Sequence, residues 1–73
     1  MTADQLADIA ARIERARREV TALSEIAYSA EYRAAVKGAA PLALMHLDNL
    51  GFCVPRLRGA EDAARAAARA ARK

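Results

Sequence analysis

The run LDNLGFCVPRLRG, residues 47–59, holds the densest helix punctuation in the chain, and its reading decides how the chain folds. Gly51 reads as a left-handed cap, the conformation in which a glycine most often closes a helix. In that motif Leu47 and Phe52 meet across the helix end, so LDNLGF is a helix stop with a hydrophobic latch. Pro55 pushes Val54 towards extended backbone. A last helix then begins either at Pro55, tolerating Gly59, or only at Ala60. This divides the chain into a helical body, 1–59, and a terminal arm, 60–73.

Upstream, Lys37 and Gly38 make a helix stop with Pro41 just beyond, and Pro41 suits the first turn of the next helix. The segment PLALMHLDNL, residues 41–50, is short and apolar on several sides, so it should be the most buried. At the N-terminus Thr2 and Gln5 spell a capping box, Met1 and Leu6 can close a hydrophobic staple, and Asp4 suits the helix dipole. Apolar residues then recur at Leu6, Ile9, Ile13, Ala16, Val20, Leu23 and Ala27, a heptad-like stripe. Asp8–Arg12, Glu14–Arg18 and the reversed pair Arg15–Glu19 lie four apart on the wet side. The phase slips near Leu23–Ile26, and Tyr28, Tyr32 and Val36 start a new stripe. Either one long helix bends here, or a second begins with Ser24 or Ser29 as its cap. No period-two strand pattern occurs. The expected fold is all-α: a small helical hairpin or three-to-four-helix assembly with a long N-terminal helix.

Downstream, the last eleven residues, AARAAARAARK, are alanine, arginine and a final lysine. These are strong helix formers with nothing large enough to fill a core. The net charge of +3 is unevenly spread. Residues 1–54 sum to −1, whereas residues 55–73 hold Arg56, Arg58, Arg65, Arg69, Arg72 and Lys73 against Glu61 and Asp62, net +4. Arg65, Arg69 and Arg72 fall on one helical face. The arm is therefore expected to fray until it binds an acidic surface or nucleic-acid phosphates; a solvated Ala/Arg-rich tail is the plain alternative.

Composition bounds the rest. The 73 residues make one small domain, and 21 of them are alanine, against 14 Leu, Ile, Val and Phe together. A thin core follows, short of what gives a domain of this size comfortable stability, with room for a partner to complete it. The single cysteine, Cys53, excludes an internal disulfide and suits a reducing compartment. No run approaches a membrane span, and no basic-then-apolar leader opens the chain; the expected location is cytoplasmic.

Little supports catalysis. His46 and Cys53 could form a base and nucleophile, but a histidine near a helix C-terminus and a cysteine beside Phe52 have simpler structural roles. Metal binding needs more ligands than one His and one Cys, and no glycine-rich phosphate loop exists. No enzymatic activity, cofactor or metal is expected. Tyr28 and Tyr32, four apart, are either a core rim or, with Leu57, a protein-partner surface. The stripe on the first helix either packs within the chain or joins two copies. A parallel pair would set Arg12 against the partner's Arg17; an antiparallel homodimer stays open.

The residues LDNLGFCVPRLR resemble the helix–turn–helix corners of bacterial DNA-binding proteins, with Leu50, Gly51 and Phe52 at the turn and Leu57 at a buried position. Cys53 stands where Ser or Thr usually caps, and Pro55 and Gly59 interrupt the second helix. In size and layout the chain also resembles small phage-encoded regulators that bind host RNA polymerase. That resemblance implies a non-enzymatic regulator or adaptor whose body grips the transcription machinery while its basic arm lies near nucleic acid. The other readings are a mainly non-specific DNA-binding protein and a structural helix-bundle subunit.

Overall fold

The computed structural model describes residues 1–36 and 41–73, and only the backbone of residues 41–44 and 47. Among the described residues there are three helices and no strand: α1 (Ala3–Tyr28), α2 (Ala30–Ala35) and α3 (Pro41–Ala71). The capping box forms as its residues predict. The Thr2 N–H donates to Gln5 Oε1 at 2.8 Å and the Gln5 N–H to Thr2 Oγ1 at 3.1 Å. Met1 is 81% exposed, so the expected staple onto Leu6 does not close. Asp8–Arg12 and Glu14–Arg18 pair at 2.9 Å each; Arg15 and Glu19 form no ion pair among the described residues.

The phase slip is a boundary between two helices. Ser29 adopts φ −69°, ψ 139°, ending α1 and capping α2. Its hydroxyl accepts from the Tyr32 N–H at 3.1 Å and donates to the Ile26 carbonyl at 2.8 Å, satisfying one orphan group of each helix. The stop expected at Lys37–Gly38 lies outside the described residues.

The corner expected at Gly51 is absent. Residues 50–59 lie inside α3, which runs 31 residues through Gly51, Pro55 and Gly59. The boundary drawn between residues 59 and 60 falls within that helix. Phe52 is 71% exposed, so no latch closes on it, and Leu47 lies outside the described side chains. Val54 is helical, not extended, despite preceding Pro55. The local penalties of two glycines and a proline are real, but packing along α1 outweighs them: Ser24 lies against Gly51, Arg17 and Glu14 reach Glu61 and Arg65, and Leu50, Val54 and Leu57 are half-buried. Of the described side chains in 41–50, Met45, His46 and Asn49 are exposed and Asp48 and Leu50 half-buried; the other five lie outside the described side chains.

α1 and α3 run antiparallel. Asp4 meets Arg72, Glu14 meets Arg65, Arg17 meets Glu61, and Ser24 lies against Gly51, one number rising as the other falls. α2 sits at the bend, tied to α3 by Arg33 and Asp48 at 2.9 Å. The molecule is a rod of 55 × 16 × 14 Å with a radius of gyration of 16.4 Å, against about 11 Å for a compact domain of this length. Its interior is thin. The buried apolar residues are Ala10, Ala27 and Ala68, and no large side chain is fully buried among those described.

Candidate interaction surface

Two of the three stripe arginines, Arg65 and Arg72, pair with acids of the protein itself. Arg65 donates to Glu61 Oε2 at 3.0 Å and approaches Glu14 Oε2 at 3.4 Å, while Arg17 Nε donates to Glu61 Oε1 at 3.0 Å. Glu61 is 6% exposed, the one buried charged residue among those described. The hydrogen bond from Arg17, above all, holds its carboxyl below the ordinary value; burial opposes this, and Arg65 reinforces it. Arg72 reaches Asp4 at 3.6 Å, and beside them Ala68 is buried. The terminal segment, expected to hold nothing large enough to fill a core, thus contributes the small buried residue Ala68. Arg56, Arg58, Arg69 and Lys73 are exposed, without an ion pair among the described residues.

The bend carries the tyrosines. Tyr28 is 58% exposed, with the Arg33 guanidinium 5.3 Å from its ring centre, a cation–π distance. Tyr32 is half-buried and lines an open groove with Ala22, Ile26, Ser29 and Ala35, edged by Glu25 and Glu31. Ile26 is 53% exposed. Arg33 bridges this end, stacking on Tyr28 while pairing with Asp48. Leu57, grouped with the tyrosines on sequence grounds, is half-buried well along α3 and does not line this groove.

Chemistry finds no built site. His46 and Cys53 are exposed, and the Cys53 thiol is directed to the Asn49 carbonyl at 3.8 Å. No three His, Cys, Asp or Glu side chains converge among the described residues, and no described helix is long and apolar enough to cross a membrane. The turn that carried the helix–turn–helix resemblance does not exist, since 50–52 are mid-helix. Sequence reasoning missed Arg17 and Glu61 as a pair because 44 residues separate them; the only local signal was an acid standing in an Ala/Arg-rich helix. No family model matches the chain, and neither the curated proteins nor the solved structures include a significant match.

Proposed function

We propose that this chain is a non-enzymatic adaptor that docks on a protein partner through its bend, with the transcription machinery as the first partner class to test. The observation carrying this reading is the exposed cluster of Ile26 and Tyr28 beside the Tyr32 groove. Tyrosine held on a braced scaffold is among the usual anchors of protein interfaces, and Ile26 adds apolar area beside it. RNA polymerase enters through the resemblance in size and layout alone. Binding of the purified chain to RNA polymerase should be measurable by interferometry. Tyr28→Ala should weaken it about thirtyfold, as an anchoring aromatic does, while Cys53→Ala leaves it unchanged. No binding, or equal binding by Tyr28→Ala, removes this partner or this surface.

A second reading rests on Arg56, Arg58 and Arg69 of α3 and Lys73 just beyond it, all exposed with no ion pair among the described residues. These are the cations available to phosphates, whereas Arg65 and Arg72 already face acids on α1. Affinity for duplex DNA should then fall with salt, and each cation changed to Gln should lower the slope of log affinity against log salt by about 0.9. A salt-independent signal, or none, leaves these residues as a solvated face.

A further inference from the structure

Apart from its last member, the buried Ala27, the apolar stripe of α1 lies beside the seam of the hairpin and not on it. The side of α1 turned to α3 is marked at seven-residue intervals by Ala10, which is buried, Arg17, which reaches Glu61, and Ser24, which lies on Gly51. Leu6, Ile13 and Val20 sit about 50° round from that line, and Ile9, Ala16 and Leu23 about 100° round, by the angular step of a supercoiled helix. The first row is half-buried, and in the second Ala16 and Leu23 are exposed. On α3, Glu61 and Ala68 mark the inward line. Leu50, Leu57 and Ala64, all half-buried, lie about 50° to one side of it. Two antiparallel right-handed helices place offsets of the same sign on the same side of the pair. Both sets of rows therefore form one broad face without a charged residue, while the Glu14–Arg65 pair lies on the opposite side.

We propose that a second copy of this chain covers that face, making an antiparallel dimer and hence a four-helix bundle, with the two-fold axis passing near Ala16. Three observations select this occupant. The first is area. The chain exposes 5366 Å², about 1,000 Å² more than the roughly 4,400 Å² expected of a compact monomer of 7.8 kDa. Two copies each hiding that excess bury about 2,000 Å² together, the amount a stable dimer needs. The second is the core: one hairpin encloses no large side chain among those described, whereas two stacked hairpins place the Leu, Ile and Val rows inside. The third is charge. Arg12 and Glu19 flank the stripe on the same side, four residues before Ala16 and three after it. A two-fold at Ala16 brings Arg12 to the partner's Glu19 twice, and sets Ile9 near the partner's Leu23. Ala16 is small enough to let the two α1 helices approach at the axis. The exposed Asp8–Arg12 pair on each copy is a weak competitor.

The test is sedimentation equilibrium of the full chain, followed by variants on the face. The native chain should sediment at about twice 7.8 kDa at micromolar concentration. Ala16 is already exposed in the hairpin, so Ala16→Glu harms only the association; the dimer dissociation constant should rise at least a hundredfold. Should that variant be too unstable to read, orientation is read from cross-linking. Ala16→Cys with Cys53→Ala should oxidise to a covalent dimer, whereas the native Cys53, displaced along the rod from its copy, should not. Arg12→Glu should weaken the dimer and Arg12→Glu with Glu19→Arg should restore it. A native chain monomeric up to millimolar concentration overturns the proposal, as does one that is monomeric and captured on this face by lipid vesicles or another protein. Preferential Cys53–Cys53 cross-linking overturns the antiparallel arrangement.

Discussion

Pro55 withholds the N–H that the Gly51 carbonyl would accept in an unbroken helix, and its ring presses on the same turn. Pro55→Ala should therefore raise unfolding stability by about 3 kcal/mol, read from the urea midpoint. A loss instead would mean that Pro55 starts a helix. Gly51 has ordinary helical backbone, and a Cβ there would meet Ser24 Oγ at 3.5 Å, a normal contact. At Gly59 the space is open. Gly51→Ala and Gly59→Ala should each stabilise by about 1 kcal/mol, and nearly additively, since they lie about 12 Å apart along the helix. A left-handed cap at Gly51 would give the opposite sign. Ser24 Oγ is buried with no hydrogen-bond partner; Ser24→Ala should be neutral or stabilising by up to about 1 kcal/mol.

Between elements, Glu61 is the fastening of α3 to α1. Its carboxyl titrates below the ordinary value because Arg17, then Arg65, binds the charged form. The unfolded chain therefore takes up the proton first as pH falls. The stabilisation is fully present above the unfolded carboxylate value and disappears as pH drops through the lower folded one. Thermal scans from pH 7 to pH 2 should show the native chain more stable than Glu61→Gln at neutrality, with the gap closing in acid. A constant gap would show that the charge is not what matters. Ending the chain after Asp62 removes Ala68 and the contacts of Arg65 and Arg72. Helicity should fall by more than the deleted residues account for, measured by circular dichroism. Several local signals were legible because their partners sit within four residues: Thr2 with Gln5, Ser29 with Tyr32, Glu14 with Arg18. The course of α3 was not, because the contacts that override Gly51 and Pro55 lie across the hairpin. The acids facing Arg65 and Arg72 were not legible for the same reason, Glu14 lying 51 residues from Arg65 and Asp4 farther still from Arg72, and alanine burial leaves no mark in a sequence already rich in alanine. Of the candidate surface, the tyrosines stood out in the sequence as either a core rim or a partner surface, but the groove beside them needed the kink at Ser29.

At the scale of the whole molecule, shape is the leading fact: a 55 Å rod two helices thick. Small-angle scattering of the Ala16→Glu monomer should report an elongated particle whose radius of gyration exceeds the compact expectation of about 11 Å; a compact value would mean that the hairpin folds back on itself. The antiparallel course has one more effect. Asp4 and Arg72 touch at one tip, while Tyr28 and the groove occupy the other. Whatever is spliced to either extremity, a cargo or a surface tether, departs from the same tip and holds the tyrosines outward at nearly the rod's full reach. The hairpin is built as a handle and a head.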